Sequence, residues 1–334
     1  MEQSLYNREV KEKYLEKFDN EQTKTTIGSL FQKAELIEEA LGKDLYNFNS
    51  VEIGKVIQNA RPVSGSVAFT YQRFISKYIS WAISPMAIRD NNINPLKGLT
   101  KEWSSQFVDH TKKIHWSKDE LYEFLELLPN AQDQAMLALM FEGVIGDKLS
   151  EIINLHYKDI DWNNNKININ STDDSKRTIE VENRTMRFIE NAYKEITHRY
   201  YDEKTGDYKE SELVPTDFIF KNANTKRNLN VKRPINKSTI YLRLKRLKDE
   251  FELEYLTANS LKESGMIHMI TKIFEAKEDD DKVITKEDLF LIAEEFGFKK
   301  MKANGYEYYN TSFMKTILSP EKVYKTTNVK IKYK

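Results

Sequence analysis

The sequence predicts a mainly α-helical chain of two domains that carries a small β-hairpin or sheet. Three observations point there. Apolar residues recur at helical spacing through most of the chain, as at Ile27, Leu30, Phe31, Ala34, Ile37 and Leu41. Two short alternating segments, DIDWNNNKININ (159–170) and KRTIEV (176–181), flank the polar turn STDDS and read as a hairpin. The asparagine-rich stretch DNNINPLKGL (90–99), with Asn94-Pro95, punctuates the end of a helical first third. The expected division is a first domain over 1–98, a linker over 99–115 and a second domain over 116–334.

The elements follow in order. KYLEKF (13–18) opens the helical part, and IGSLFQKAELIEEALG (27–42) stops at Gly42. FNSVEIGKVIQNA (48–60) offers Ser50 as an N-cap, and VAFTYQRFISKYISWAI (67–83) is a longer helix. WSKDELYEFLELLP (116–129) begins with Ser117 and has Glu120 three residues on, the pattern of a capping box. Residues 132–141 form the next helix, and GVIGDKLSEIINLHY (143–157) turns at glycines into another. After the hairpin, helices dominate to about 318, with DFIFK (217–221) as a candidate extra strand.

Composition narrows the function. The chain of 334 residues has a 40% hydrophobic fraction, enough to support packed cores, and no cysteine. Disulfides and thiolate metal sites are therefore excluded, which fits a reducing compartment. The charged opening MEQSLYNREVKEKYLEKF is unlike a secretory signal, and the longest mostly apolar run, YISWAISPMAI (78–88), is too short to span a bilayer. A cytoplasmic protein with no membrane partner is expected. The five histidines lack metal-ligand spacing and no glycine-rich phosphate loop occurs, so neither metal nor cofactor is expected. Lys plus Arg and Asp plus Glu both count 52, giving zero net charge, but their distribution is uneven. Between 218 and 248 there are ten Lys or Arg and no acid, which can present a basic face.

Within GVIGDKLSEIINLHYKDIDWNNNK (143–166) stand Gly146, Asp147, Lys148, Leu149, Ser150, Glu151 and Ile152, then Leu155, Asp159, Ile160 and Asp161. LTANSLKESGMIHMI (256–270) and EEFGFKK (294–300) follow. In this order and spacing the segments resemble the first arginine box, the second box and the following histidine box of the tyrosine recombinases, also called phage integrases. The resemblance covers nearly the whole chain. It implies a two-domain tyrosine-recombinase fold, with a helical SAM-like core-binding domain and an integrase-like catalytic-type domain.

In that family a tyrosine attacks a DNA phosphate while two arginines hold its non-bridging oxygens. Matched box to box, the arginine positions carry Lys148 and Lys262, and the histidine positions carry Asn259 and Phe298. The hairpin-lysine position falls near Thr172, with Lys176 in the same turn as a substitute. Lysine keeps a positive charge but loses the planar two-pronged grip on phosphate. Losing one preorganised donor typically costs about 10²–10³ in rate. Tyr306, Tyr308 and Tyr309 span the nucleophile's spacing, yet a nucleophile without its clamp is idle.

The expectation is therefore a non-enzyme that keeps DNA binding. The whole sequence is also similar to the master repressors of SP-beta-type prophages, which share this fold. That likeness implies a sequence-specific transcriptional repressor, bacterial or phage-encoded and nucleoid-associated, that maintains lysogeny on double-stranded operator DNA. Self-association and an antirepressor or other regulatory partner fit this reading. The alternatives are an active recombinase using Tyr306, Tyr308 or Tyr309, and a protein-interaction module on a recombinase relic.

TIYLRLKRLKDEF (239–251), with Ser238 as cap, sets Ile240, Leu244, Leu247 and Phe251 in one stripe. Thr239, Arg243 and Arg246 are then expected to face outward with Lys245 and Lys248 on their flanks, in a helix the resemblance lays against the major groove. The other expected DNA contacts are Lys226, Arg227, Lys232, Arg233 and Lys237 in the basic run, Lys148 and Lys262 in the boxes, and Thr70, Tyr71, Arg73 and Lys77 in the first domain. IFEAKEDDDKVITKEDLFLIAEEF (273–296) superficially matches a calcium loop, but Lys277 stands where the first ligand should be and Lys282 where glycine should be. An acidic surface loop is expected instead. The basic tail VYKTTNVKIKYK (323–334) is expected either to pair with a neighbouring protomer or to be disordered.

Overall fold

The computed structural model describes residues 5–109, 112–171, 176–202, 205–225, 229–278, 282–303 and 305–334. Two compact units result, Met1–Lys112 and Lys113–Lys334.

The first unit is helical: α1 (Arg8–Leu15), α2 (Glu21–Leu41), α3 (Ser50–Asn59), α4 (Gly65–Ile83) and α5 (Lys101–Ser105). Helix α2 starts six residues before the apolar pattern does, because Asn20 accepts the Thr23 amide at 2.9 Å and caps a polar first turn. Gly42 ends it at φ 63°, the left-handed position that glycine adopts cheaply. The cap of α3 is Asn49 rather than Ser50. Its Oδ1 accepts the Val51 and Glu52 amides, and Glu52 returns a bond to the Asn49 amide. The core centres on Tyr14, Phe31, Tyr78 and Trp81, with Tyr78 centred 4.8 Å from Phe31 and 4.9 Å from Tyr14.

The expected linker over 99–115 is a correction. Most of it is part of this unit, because Trp103 and Phe107 pack onto its core. A Cβ on Gly54 would lie 2.6 Å from the Phe107 ring, so α3 and the 107 segment touch where only glycine fits. The Asp109 amide donates to the Pro62 carbonyl at 2.8 Å, and the Asp109 carboxylate pairs with Arg61.

In the second unit, α6 (Lys118–Leu127) carries the expected Ser117–Glu120 capping box. Helix α7 (Ala131–Phe141) is followed by a short α8 (Ser150–Ile153) and a three-stranded antiparallel sheet. The sheet comprises β1 (Ile160–Asp161), β2 (Lys166–Asn170) and β3 (Lys176–Glu180), so the hairpin has gained an edge strand. Ile167 opposite Ile179 sets the register that buries both. Helix α9 (Asn183–Lys194) leads to a second ribbon, β4 (Thr197–Asp202) and β5 (Asp207–Glu212), which the sequence reading assigned to helix. DFIFK is no strand. It makes a single bridge, Phe218 to His156, and runs beside residues 155–157.

The chain closes with α10 (Lys237–Glu250), α11 (Ala258–Glu275), α12 (Lys286–Glu295), the ribbon β6 (Met301–Ala303) and β7 (Tyr306–Tyr308), α13 (Thr311–Ile317) and α14 (Pro320–Thr327). Helix α11 crosses α7 so closely that a Cβ on Gly265 would stand 1.8 Å from the Phe141 carbonyl oxygen. The tail, expected to be exchanged or disordered, folds onto its own unit. Ile331 is buried, the Ile284 amide donates to Lys332 and the Lys334 amide donates back to Ile284. In the calcium-like loop Lys277 pairs with Asp288 and donates to the Val283 carbonyl, so its two ends close on each other. Asp279 and Asp281 lie outside the described residues.

Candidate nucleic-acid interface

The turn after α7 bends sharply. Gly143 and Gly146 take positive φ, and so do two side-chain-bearing residues, Lys148 at 52° and Leu149 at 69°. Such backbone costs of order 1–3 kcal/mol per residue and persists only where the surroundings enforce it. Here Leu149 is buried and Glu151 is tied down, while Lys148 is left exposed on the outside of the turn.

Glu151 lies at the centre of this region, almost fully buried. Its carboxylate accepts from the Ile145 amide at 3.0 Å, from Ser171 Oγ at 2.6 Å, and from both Nη atoms of Arg177 at 2.5 and 2.9 Å. Burial acts to raise this carboxyl, but Arg177 and Ser171 outweigh it and hold it below the ordinary range. Arg177, on β3, was not singled out from the sequence. It also donates from Nη2 to the Gly143 carbonyl at 2.8 Å and from Nε to the Glu295 carbonyl at 3.1 Å. Four of its five N–H groups are thus used inside the protein. Gly297 makes room for it, since a Cβ there would sit 2.9 Å from Nη1.

Lys262 on α11 is half-buried beside this bridge. Its Nζ lies 4.5 Å from the centre of the Phe298 ring and makes no hydrogen bond or ion pair among the described residues. Burial and then the Arg177 charge pull its ammonium down to about 8, with Glu151 opposing. Phe298 therefore gives Lys262 an aromatic face. Asn259 is exposed on the first turn of α11. Lys176 is exposed at the start of β3, and Thr172 lies outside the described residues.

The three tyrosines have different surroundings. Tyr306 and Tyr308 are exposed on β7, 77% and 39% accessible. Tyr309 is buried, and its hydroxyl donates to Glu294 at 3.5 Å. Burial and that carboxylate raise its pKa, the opposite of what activates a nucleophile.

The outward face expected of α10 needs a correction. Arg243 is buried. Its Nη1 donates to Gln132 Oε1 at 3.0 Å and lies 3.7 Å from Asp133 Oδ1. Asp133 also meets His198 at 3.3 Å and Asn130 at 2.9 Å. Burial pushes the Asp133 carboxyl up, but His198 and Arg243 bring it below its usual range. Helix α10 buries a stripe wide enough to take Arg243 along with Ile240, Leu244 and Leu247. One signal could have shown this: Asp133 lies in AQDQAMLALMF, a helix too apolar to be solvated, and a buried carboxylate requires a cation.

The face actually exposed on α10 presents Lys237, Tyr241, Leu242, Lys245 and Arg246. Arg246 also stacks over Tyr200 of β4 at 5.2 Å. Thr239 and Lys248 are half-buried, and Lys232 and Arg233 are exposed in the preceding segment. Lys226 and Arg227 lie outside the described residues. On α4 of the first unit, Thr70, Arg73 and Lys77 are exposed along one face, whereas Tyr71 is half-buried beneath Lys33. Arg73 and Lys77 form no ion pair among the described residues.

Two family models match the chain. MrpR, N-terminal core-binding domain, covers residues 5–84, and MrpR, C-terminal catalytic domain, covers residues 115–328. The SPbeta prophage-derived uncharacterized protein YopR of Bacillus subtilis (strain 168) is 29% identical over 279 residues, 82% of this chain and 84% of YopR. Among solved structures, XerA recombinase aligns over 95% of this chain and 96% of its own, at 12% identity and a TM-score of 0.42. A lambda integrase dimer bound to a COC' core site aligns over 93% and 95%, at 11% identity and a TM-score of 0.44.

Proposed function

The chain belongs to the MrpR family, and from that membership we propose that it is a sequence-specific DNA-binding transcriptional repressor on a catalytically inactive tyrosine-recombinase scaffold. It holds a prophage in lysogeny by repressing lytic genes. The observation that carries this reading is the fate of Arg177: the guanidinium in the box region is bound by Glu151 and two carbonyls, and Lys262 is left as the cation to meet a phosphate. A point-charge ammonium attracts phosphate without the bidentate grip that phosphoryl transfer uses.

The exposed cations Lys232, Arg233, Lys237, Lys245 and Arg246, with Arg73, Lys77 and Lys148, supply the phosphate contacts. Tyr241 and Leu242, on the same face as Lys245, add apolar contact of the kind that reads thymine methyls. The prophage origin in the name of YopR supports the lysogenic role.

Affinity selection of fragmented host and prophage DNA at about physiological salt, followed by sequencing, tests the reading. One short motif recurring near promoters is expected. Paired attachment-like sites, together with a covalent protein–DNA adduct on a nicked substrate that disappears in Tyr306→Phe, Tyr308→Phe or Tyr309→Phe, would sink it.

A further inference from the structure

The first unit holds a charged cluster that DNA binding does not use. Lys11 is fully buried on α1. Its Nζ meets Glu38 Oε2 at 2.5 Å and the Tyr6 carbonyl at 2.7 Å. Asp44, 4% exposed, accepts from the Tyr78 hydroxyl at 3.0 Å, the Tyr46 amide at 3.1 Å and Asn7 Nδ2 at 3.1 Å. One buried ammonium thus stands against two buried carboxylates.

Asp44 also lines an open cleft of about 580 Å³, together with Tyr6, Asn7, Tyr46, Asn47 and Asp90. The Asp90 carboxylate is exposed and forms no ion pair among the described residues. Lys43 lines the cleft too, but its Nζ is tied to Glu52 at 2.9 Å. The volume suits a small organic molecule.

We propose that this cleft binds a small organic cation, an ammonium or guanidinium compound, and that its occupant acts on helix α4 through Asp44 and Tyr78. The sign of the ligand follows from the lining. An anion would face Asp44 and Asp90 with Lys43 already engaged, whereas a cation is attracted by both carboxylates. Tyr6 and Tyr46 also line the cleft, with the Tyr6 ring already facing Lys11 Nζ at 5.7 Å and the Tyr46 ring centred 5.9 Å from Tyr78. A bare metal ion is the poorer fit, because no group of three or more His, Asp or Glu among the described residues could hold one. Burial pushes the Glu38 carboxyl up to about 7 and raises Asp44 as well, with Lys11 opposing both.

The route outward is short. Tyr78, whose hydroxyl Asp44 holds, is on α4 next to Lys77 and one helical turn from Phe74, which Arg73 precedes. An occupant drawing on Asp44 therefore competes for the group that anchors the helix carrying Arg73 and Lys77. This second half rests on the repressor reading, and the first half does not.

The test uses the full-length protein without DNA. Ethylguanidinium and agmatine are titrated by calorimetry at constant ionic strength, with ethylurea as the uncharged isostere of the former. Saturable binding of both cations and none of ethylurea is expected, weakened severalfold in Asp90→Asn and lost in Asp44→Asn. Asp90→Asn, at an exposed carboxylate, keeps the test decisive if Asp44→Asn does not fold. Cations that bind no better than ethylurea, or equally well to both folded variants, overturn the site. For the coupling, agmatine is expected to shift operator affinity in the wild type and not in Tyr78→Phe, and an unchanged wild-type affinity overturns it. A protein that binds agmatine but no DNA under any condition leaves the site standing and removes only the repressor reading.

Discussion

The two units each enclose a cluster of charges, and the clusters differ in the cation that holds them: an ammonium in the first, a guanidinium in the second. In the first unit Lys11 faces Glu38 and Asp44, and the surplus is negative. In the second, Arg177 and Lys262 stand beside Glu151, and the Glu295 carboxylate also feels the Arg177 charge. Burial is the largest influence on all three titrating groups, and the grip of the partner decides what remains. Glu38 is raised to about 7, while Glu151, gripped by a planar guanidinium, stays below its ordinary range and Lys262 is lowered to about 8. Charge kept out of bulk water is stabilised by a counter-charge, and the cation proposed for the first unit and the phosphate proposed for the second would each be one.

The largest effect should come from breaking the balanced part of the second cluster. Arg177→Ala leaves Glu151 buried without its partner, and urea unfolding should show about 3–5 kcal/mol lost. Replacing both residues with apolar ones should lose much less. An equal loss in the double variant would mean that packing, and not charge, holds the hairpin to the box turn.

Glu38 gives the next effect. Its raised pKa means that the native state binds the extra proton, so its stabilising contribution is present below the ordinary carboxyl range and disappears as pH rises through about 7. Wild-type stability relative to Glu38→Gln should fall by on the order of 2 kcal/mol between about pH 4.5 and 7. A flat difference would show that Lys11 neutralises the cluster by itself.

For Lys262 the sign runs through binding. Its ammonium is lost as pH rises through about 8, so DNA affinity should fall by up to about tenfold between pH 7 and 9. Lys262→Met should bind more weakly at pH 7 and lose most of that slope. The smallest effect belongs to exposed charges outside both clusters. Arg73→Ala combined with Lys77→Ala should reduce the salt dependence of log K by roughly 2, with little change in stability. An unaltered salt slope would remove α4 from the interface.

Much of the fold is legible because it depends on local pattern. The α6 capping box, the apolar repeat of α2 and the alternation across β2 and β3 each sit within a few consecutive residues. The misses share a cause. The β4–β5 ribbon is polar on nearly every residue, so its alternation carries no hydrophobic signal. Arg243 read as surface because helical spacing places a residue on a face without saying how wide the buried stripe is. Arg177 was overlooked because its partners lie 26, 34 and 118 residues away.

By itself the sequence determined the helical class and the order of the segments that resemble the recombinase boxes, since residue identity and spacing suffice for these. Tertiary structure alone decided which charges are spent. Arg177, Arg243 and Lys11 are satisfied inside the protein, while Lys262, Lys245 and Arg73 make no ion pair among the described residues. The physical reason is that a charged side chain's role depends on the counter-charge and the water around it, and distant segments supply both.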